Sequence, residues 1–255
     1  MARRTPASRP AARSTTGSAP ARLPKAAQVR VLVAGGTGLV GRALLAQLVA
    51  DPRCRSVTAL VRQPAQRPGL PRGVTALVVD YSTLGQPGTA ALPAADWAFC
   101  CLGTTIKTAG SQAAFRAADF DAVLAFARAA QASGVSRMAV VSAIGANSRS
   151  SVFYNRVKGE AEQALTALGL QQLVLARPSL LLGDRKALGQ PARPAERLAQ
   201  ALMPALGWLI PRKLRPIRAS AVAIALRSAL ADSAPGTRVL ESDALARLAD
   251  GFAAA

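Results

Sequence analysis

The sequence predicts an α/β fold in which a doubly wound parallel sheet carries helices on both faces. Three observations lead to this prediction. Strand-forming runs alternate with helical patterns from Val29 onward, as in chains of β-α-β units. A glycine-rich stretch at 35–41 joins the first such strand to the first helix. Without its first 28 residues, the chain of 255 residues has a length that suits one α/β domain with a full core, or one such domain with a small cap.

Each predicted element has a local reason. Runs rich in β-branched and apolar residues predict strands at 29–34, 56–61, 74–79, 97–102, 137–141 and 172–176. Helical patterns predict helices at 39–50, 119–132 and 152–168, and the last two end at Gly134 and Gly169. After Leu180 the alternation stops, and five prolines between 184 and 216 predict a small, loop-rich C-terminal cap over about 184–218. A helix over 220–231 and a short strand at 238–241 follow the cap.

Residues 1–28 differ from the rest of the chain. They are rich in Ala, Arg, Pro, Ser and Thr, contain six basic residues and no acid, and lack periodicity. This composition predicts a disordered basic tail, with the folded domain spanning 29–255. An acid-free start rich in Arg and Ser is also typical of a transit peptide, although the prolines interrupt an amphipathic helix.

The composition excludes several kinds of site. The chain has no histidine, which excludes Ser-His-Asp and Cys-His catalysis and most zinc sites, so we expect no metal. Cys54, Cys100 and Cys101 are too few for a disulfide scaffold and fit small buried apolar residues in a reducing compartment. We therefore expect a cytoplasmic protein. We expect no transmembrane span, because no stretch reaches the ~18 apolar residues that one requires.

The chain is strongly basic, with a formal net charge of +19 from 32 Lys and Arg against 13 Asp and Glu. Aromatic residues make up only 4% of it, so specific nucleic-acid binding through base stacking is not expected, while nonspecific attraction to polyanions stays open. Besides the tail, a second basic cluster consists of Arg212, Lys213, Arg215 and Arg218. Apolar residues around Trp208 either pack the cap on the domain, line a substrate pocket or, with that cluster, make weak contact with a membrane surface.

The glycine-rich stretch is typical of a dinucleotide-binding loop. Its glycines follow a strand and precede a helix, which allows a tight turn, close approach of a ligand and close helix–strand packing. The N–H groups and positive dipole end of that helix suit a pyrophosphate. We therefore expect a Rossmann-type fold whose cofactor contacts include Gly35, Thr37, Gly38, Leu39, Val40 and Gly41. The alternative is an ordinary glycine turn.

A tyrosine and a lysine form the second motif. Tyr154 and Lys158 are spaced i, i+4 in a predicted helix, so their side chains share one face. An ammonium beside a phenol favours the phenolate, and the pair can then exchange a proton with a carbonyl or alcohol near neutral pH. Ser142, at the end of the preceding predicted strand, offers a hydroxyl for hydrogen bonding to the reacting oxygen. The alternative is a surface Tyr and Lys that meet by chance.

Together these motifs match the short-chain dehydrogenase/reductase pattern: Gly35-x-x-Gly38-x-x-Gly41, Ser142 and Tyr154-x-x-x-Lys158. Over about residues 29–248 the chain resembles the Tat-interactive oxidoreductase-like branch of the atypical members of that NAD(P)-binding family. The stretches that carry this resemblance are Cys100-Cys101-Leu102-Gly103-Thr104-Thr105, Ser142-Ala143-Ile144-Gly145-Ala146, Val157-Lys158-Gly159-Glu160, Arg177-Pro178-Ser179 and Val239-Leu240-Glu241.

The resemblance implies an NADP-binding domain in which Tyr154 is the acid/base, Lys158 its activator and a ribose ligand, and Ser142 the group that polarises the substrate oxygen. The chain departs from the family at Ala143, where a second serine is common. The resemblance, with the rule that ligands bind at the carboxyl ends of parallel strands, implies further cofactor contacts. These are Asp80 and Tyr81 near the adenine, Leu102, Gly103 and Thr104 near the ribose, and Pro178 and Ser179 near the nicotinamide. Plain turn chemistry is the alternative at each position.

The end of the second predicted strand indicates which dinucleotide is preferred. NAD-preferring folds usually place an acid here for the ribose 2′-hydroxyl, whereas this chain has Val61-Arg62-Gln63. The Arg62 guanidinium can clamp a 2′-phosphate, so NADP (NADPH) is favoured over NAD. Arg42 either assists or is a solvated helix residue.

The predicted function is that of an NADP(H)-dependent oxidoreductase of the short-chain dehydrogenase type acting on a small carbonyl or alcohol. The alternative is an NADP(H)-sensing regulatory protein without significant turnover, because some members of the branch it resembles are better known as regulators. Such a regulator would have a protein partner.

Overall fold

The computed structural model describes residues 28–183, 211–232 and 234–253. The strands are β1 (Val29–Ala34), β2 (Cys54–Val61), β3 (Val74–Val78), β4 (Trp97–Cys100), β5 (Arg137–Val141), β6 (Gln172–Arg177), β7 (Leu181–Leu182), β8 (Ile217–Arg218) and β9 (Gly236–Glu241). The α-helices are α1 (Leu39–Val49), α2 (Ile106–Ala109), α3 (Gln112–Arg116), α4 (Ala122–Ala132), α5 (Phe153–Thr166), α6 (Ala219–Ala231) and α7 (Ser242–Ala253). A π-helical turn at Ala117–Asp121 leads into α4, and 3-10 helices span Pro64–Gly69 and Arg212–Leu214.

Seven strands form one parallel sheet in the order β3-β2-β1-β4-β5-β6-β9, and β7 and β8 form a separate parallel pair. The chain moves from β1 outward to β3 and then returns to β4 on the other side of β1. In sheets of this type, the carboxyl ends of the strands at such a reversal form the ligand-binding crevice. The Rossmann-like parallel sheet predicted from the sequence is confirmed.

Helices cover both faces of the sheet. On one face α1 and the two C-terminal helices bury side chains such as Leu44 and Leu245. On the other face α4 and α5 bury Phe126 and Leu165. Successive side chains of each central strand supply the two clusters in turn, because a strand alternates its side chains between faces. The crevice therefore lies on a rigid, doubly packed sheet.

The adjacent cysteines of the β4 end point to opposite faces of the sheet. Cys100 is buried on the α4 side, and Cys101 packs against the cluster on the α1 side. Burial raises the pKa of the Cys100 thiol to about 12, so this thiol stays protonated at neutral pH. Cys100 thus behaves as a small apolar residue of the core.

Several boundaries differ from the prediction. The helix expected from 119 begins earlier, because α3 and the π-helical turn at Ala117–Asp121 precede α4. The strand expected over 97–102 ends at Cys100, where the chain leaves the sheet to run along the crevice. Helix α7 was not predicted, since Gly251 and an alanine-rich pattern weaken its periodicity, but Leu245 and Ala249 of this helix are buried.

The predicted tail and much of the predicted cap lie outside the described residues, which begin at Gln28 and omit 184–210, including Trp208. The described end of the cap region holds the 3-10 helix and β8, where Arg212, Lys213 and Arg218 are exposed. The weak membrane-surface contact expected there stays a prediction. Across the described ranges, no helix combines the length and the apolar character needed to span a bilayer.

Candidate active site

The glycine-rich loop connects β1 to α1 at the reversal in strand order. Gly35 has a φ of 77°, in the left-handed region, and a Cβ there would collide with the Cys101 backbone. A Cβ on Gly41 would collide with the Gly35 carbonyl, so α1 packs directly on the loop. Within the described ranges no side chain caps α1 and no acid lies in its first turn, which leaves its first N–H groups to an anion.

The remaining loop residues take two kinds of position. Thr37, Gly38 and Leu39 are half-buried, and Gly38 N donates to Gly35 O across 3.1 Å, which closes the turn. The Val40 side chain is buried in the core, so this residue faces the loop only through its backbone. The loop therefore has the geometry that a pyrophosphate requires: glycines where a side chain would not fit, followed by an uncapped helix.

The residues after β4 lie beside this loop. Cys101 N donates to Ala34 O at 2.8 Å, which fixes the start of the segment against the end of β1. Gly103 is exposed, while Leu102 and Thr104 are half-buried. The structure thus brings together the two segments that were predicted to contact the cofactor.

Arg62, Asp80 and Tyr81 lie at the carboxyl ends of the neighbouring strands β2 and β3, which Val79 N holds together by donating to Val61 O at 2.9 Å. Arg62 is exposed, and its backbone N–H donates to Gln66 Oε1. Hydrogen bonds from Ser82 hold the pKa of Asp80 below its ordinary value. Burial, with a smaller effect of Cys100, raises the pKa of Tyr81, and the nearby Arg62 cation partly opposes this.

Tyr154 and Lys158 lie on the face of α5 that packs toward α3 and the π-helical turn. The Tyr154 ring is half-buried, with its centroid 5.3 Å from that of Phe115. Lys158 is only 5% exposed, and its Nζ lies 2.8 Å from Asp119 Oδ1. Burial alone would lower the pKa of Lys158, but the Asp119 carboxylate, with a smaller effect of Tyr154, raises it above its ordinary value. Lys158 is therefore a charged ammonium at neutral pH.

Asp119 is a site residue that the sequence reasoning missed. It is fully buried in the π-helical turn, and its second oxygen accepts a hydrogen bond from Thr104 N at 2.9 Å. The sequence contained one indication of this, because the apolar residues Phe115 and Val123 lie four positions before and after Asp119. The structure shows that both are buried. An acid on the apolar face of a helix indicates a buried partner of opposite charge.

Ser142 lies at the end of β5, on a narrow cavity that Asp119, Lys158 and Glu162 also line. Its hydroxyl donates to Glu162 Oε1 at 2.5 Å and is largely shielded from solvent. The Glu162 carboxylate is buried and is also held by Arg177, through Nε at 3.0 Å and Nη2 at 2.5 Å. The structure thus brings Ser142 and Lys158 to one cavity and pairs the serine with a carboxylate.

The loop after β5 lies directly on α5. A Cβ on Gly159 would collide with the backbone of Asn147 and Ser148, which explains the glycine that follows Lys158. Asn147 N also donates to Asn155 O at 3.0 Å. These contacts fix the loop against the first turns of the helix that carries Tyr154.

Pro178 and Ser179 follow β6. Pro178 is buried, and its carbonyl accepts from Ile144 N at 3.1 Å, which joins this segment to the loop after β5. The Ser179 hydroxyl donates to the Arg215 carbonyl and lies 3.0 Å from Ser242 Oγ. Ser179 therefore ties the described end of the cap region to the start of α7.

These residues combine three chemical abilities at one edge of the sheet. The glycine loop and α1 can hold a pyrophosphate, and Arg62 is exposed at the end of the adjacent strand β2. Tyr154, beside the buried Lys158 ammonium, can exchange a proton. A dinucleotide laid across the crevice would reach from the glycine loop and Arg62 to Tyr154 and Lys158.

Comparisons with known proteins show which family this chain resembles. A family model described as NAD(P)H-binding matches residues 35–198. The chain is 32% identical over 180 residues to "Protein fmp52, mitochondrial" of Emericella nidulans, covering 69% of this chain and 76% of the relative. It is 34% identical over 171 residues to "Protein HTATIP2" of Rattus norvegicus, covering 67% and 68%. The resemblance drawn from the motifs is confirmed.

Among solved structures, the fold is similar to a UDP-N-acetylglucosamine 4-epimerase from Methanobrevibacter ruminantium M1. The TM-score is 0.62 at 16% identity, covering 84% of this chain and 77% of the epimerase. The enzyme WbmG of Bordetella bronchiseptica, in complex with NAD, has a TM-score of 0.61 at 15% identity, covering 92% and 81%. At these identities the likeness concerns the fold alone.

The relatives contradict one prediction. Fungal relatives from Emericella nidulans, Coccidioides immitis, Scheffersomyces stipitis and Eremothecium gossypii are all named as mitochondrial proteins. The cytoplasmic location expected from the sequence is therefore wrong by this comparison. The physical reason is that unpaired cysteines indicate a reducing environment without identifying the compartment.

Proposed function

Because the chain belongs to the NAD(P)H-binding family, we propose that it is an NADP(H)-dependent oxidoreductase of the short-chain dehydrogenase type that acts on a small carbonyl or alcohol. The observation that carries this proposal is the position of the buried Lys158 ammonium beside Tyr154 and the crevice. Its Nζ lies 3.7 Å from the place that a Cβ on Gly103 would occupy. A charged lysine buried next to a phenol, at the edge where the cofactor loops meet, supports acid/base chemistry.

In the proposed reaction, bound NADP(H) supplies or accepts the hydride. Tyr154 holds the proton that passes to the substrate oxygen in reduction and returns in oxidation. The Lys158 ammonium stabilises the phenolate that remains when the proton has left. Phe115 packs on the Tyr154 ring, with the two centroids 5.3 Å apart, and limits the orientations of that ring.

The preference for NADP over NAD is part of the proposal. Arg62 follows β2 at the position where NAD-preferring folds usually carry an acid for the ribose hydroxyls, and its side chain is exposed. Gln66 accepts from the Arg62 backbone N–H at 2.8 Å, which fixes the start of the guanidinium side chain. A guanidinium here favours a 2′-phosphate through charge and paired hydrogen bonds. NAD is the less favoured cofactor.

A panel of small aldehydes and ketones, assayed with NADPH, tests the proposed activity. We expect turnover of at least one of them, and Tyr154→Phe should lower kcat by about 100-fold or more while NADPH affinity is retained. Ser151→Ala, an exposed residue just before α5, is the control and should keep full activity. Unchanged turnover in Tyr154→Phe would contradict the mechanism, and failure to bind NADPH or NADH would contradict the proposal as a whole.

One observation favours a second candidate, an NADP(H)-sensing regulatory protein without significant turnover and with a protein partner. The Ser142 hydroxyl is occupied by Glu162, and Ala143, the next residue, has no hydroxyl. For Ser142 to polarise a substrate oxygen, as the oxidoreductase proposal requires, its hydroxyl must give up the hydrogen bond to Glu162 and donate to the substrate oxygen instead. The sensing candidate predicts tight NADPH binding, no turnover on the panel, and recovery of a partner that depends on the cofactor.

A further inference from the structure

We propose that Asp119 is a positioning residue of this site, which holds the Lys158 ammonium with one carboxylate oxygen and the backbone after β4 with the other. The inference rests on the proposed function, because it assigns the residue that fixes the acid/base pair relative to the cofactor crevice. Asp119 belongs to neither the glycine loop nor the Tyr154-x-x-x-Lys158 motif.

The first argument is burial. Asp119 is fully buried between Phe115 and Val123, which occupy the same helical face one turn before and after it. A hydrophobic residue would satisfy the packing there, and a buried carboxylate is costly unless its oxygens are paired. We therefore attribute the acid at this position to the groups that it binds, Lys158 and the Thr104 backbone, and not to packing of the core.

The second argument is the backbone. Residues Ala117–Asp121 form a π-helical turn between α3 and α4, and Ala122 N bonds to Ala117 O across it. Such a turn inserts one residue into a helix and changes the direction of the side chains around it, and it is frequent at functional sites. Here the residue that it carries into the interior is Asp119.

The third argument is that the two oxygens have different partners on different elements. Oδ1 lies 2.8 Å from Lys158 Nζ on α5, and Oδ2 accepts from Thr104 N at 2.9 Å in the segment after β4. Gly103, which precedes Thr104, lies on the crevice beside both charged groups. Asp119 thus links the helix that carries the acid/base pair to a wall of the crevice.

The charges around Lys158 make Asp119 decisive for its protonation. The other titratable groups that act on it are Tyr154 on its own helix and Cys100 at the end of β4. Glu162, one turn along α5, lines the same cavity but is held by Arg177. Of the described residues, Asp119 alone has a carboxylate within salt-bridge distance of Nζ. Without that charge, burial would lower the pKa of Lys158.

An NMR titration of protein labelled with ¹³C at lysine Cε tests this without any turnover. The chain has five lysines, and loss of one signal in Lys158→Arg identifies Lys158. In the wild-type protein the pKa of Lys158 should lie above the ordinary lysine pKa of ~10.4. Asp119→Asn keeps a side-chain oxygen that can accept from Thr104 N and removes the negative charge. In this variant the pKa of Lys158 should therefore lie below the ordinary lysine pKa. Asp121→Asn, an exposed residue in the same π-helical turn, is the control and should leave Lys158 unchanged.

Catalysis supplies a second measurement. With an accepted substrate, Asp119→Asn should lower kcat by about 100-fold through misplacement of Lys158, and should displace the pH–rate profile, whereas Asp121→Asn should do neither. A pKa of Lys158 below ~10.4 in the wild-type protein would overturn the inference even if Asp119→Asn does not fold. Unchanged Lys158 titration in a folded Asp119→Asn would also overturn it. Absence of turnover in the wild-type protein contradicts the proposed function and leaves the titration result standing.

Discussion

Ser142 Oγ donates to Glu162 Oε1 at 2.5 Å, so the serine expected to polarise a substrate is bonded to a buried carboxylate. Glu162 is in turn held by Arg177, whose Nη1 also reaches Glu241 Oε1 at 3.3 Å. The end of β5 is thereby connected through α5 and β6 to the edge strand β9. Ser142, a residue of the candidate site, is therefore hydrogen-bonded to an ion-pair network that connects several elements of the fold.

Ser142→Ala is expected to lower the free energy of unfolding by about 1 kcal/mol, because Glu162 loses one donor while Arg177 keeps it paired. Urea unfolding at neutral pH measures the change. Ser151→Ala, which removes an exposed hydroxyl, should have no effect. Equal stability of the Ser142→Ala and wild-type proteins would show that the contact with Glu162 contributes nothing.

The same variant separates the two candidate functions. If Ser142 exchanges Glu162 for a substrate oxygen, Ser142→Ala should lower kcat by about 100-fold as well as lowering stability. If the protein is a sensor, the variant should show the loss of stability alone and retain its NADPH affinity. Paired kinetic and unfolding measurements on one preparation therefore distinguish the two candidates.

Arg62→Ala is expected to raise the Kd for NADPH about tenfold or more, because the charged hydrogen bond that we propose between Arg62 and the 2′-phosphate would be lost. The Kd for NADH should stay the same, since NADH has no phosphate at that position. Arg67→Ala removes an exposed arginine from the adjacent 3-10 helix and controls for the general loss of positive charge. Fluorescence titration with both nucleotides at constant ionic strength measures the two constants. An equal effect of Arg62→Ala on both nucleotides would contradict the assignment of the 2′-phosphate contact.

The parts of the site that depend on local sequence were predictable. Gly35, Gly38 and Gly41 identify the loop because their spacing and the flanking strand and helix are local properties of the chain. The i, i+4 spacing places Tyr154 and Lys158 on one helical face for the same reason. The alternation of strands and helices likewise led to the parallel sheet, which the structure confirms.

Contacts between distant segments were not predictable. Asp119 lies 39 residues before Lys158, and only the packing of the π-helical turn on α5 brings their charges together. The pairing of Ser142 with Glu162 likewise depends on how the end of β5 meets α5. A sequence pattern indicates that an acid lies on an apolar face, but its partner is decided by tertiary packing.

Gly41→Ala is expected to weaken NADPH binding and to destabilise the protein by about 1–3 kcal/mol. The added Cβ would collide with the Gly35 carbonyl, and the contact involves backbone that cannot rotate away. Helix α1 and the loop would have to separate, which would displace the N–H groups that we propose to bind a pyrophosphate. Thermal unfolding and NADPH titration measure the two effects.

Gly251→Ala provides the control for an added methyl group. Gly251 lies in α7 with no atom near the place of a Cβ, so alanine should stabilise the helix by about 0.5–1 kcal/mol. Its NADPH affinity should equal that of the wild-type protein. If Gly41→Ala bound NADPH as tightly as Gly251→Ala, the glycine loop would not be the pyrophosphate site.

The free energy of unfolding is expected to fall in acid through two carboxylates paired with arginine. Hydrogen bonds from Arg53 hold the pKa of Asp51 below its ordinary value, and Arg30 does the same for Asp96. A lowered pKa in the folded state means that the unfolded chain takes up protons first as the pH falls. The stabilisation is therefore complete above about pH 4–5 and is lost as the pH falls through the ordinary aspartate value of ~3.9 toward the folded-state values.

Asp51→Asn tests the larger of these contributions, because Asp51 is the more buried of the two. Its carboxylate joins the end of α1 to Arg53 at 2.7 Å and to Arg227 of α6 at 3.6 Å. We expect the variant to lose about 1–3 kcal/mol at neutral pH and to show a shallower decline between pH 5 and 3 in urea unfolding. Asp250→Asn, on the exposed side of α7, should retain the wild-type curve. A decline as steep in Asp51→Asn as in the wild-type protein would mean that other carboxylates control the acid sensitivity, because a neutral amide at this position takes up no proton.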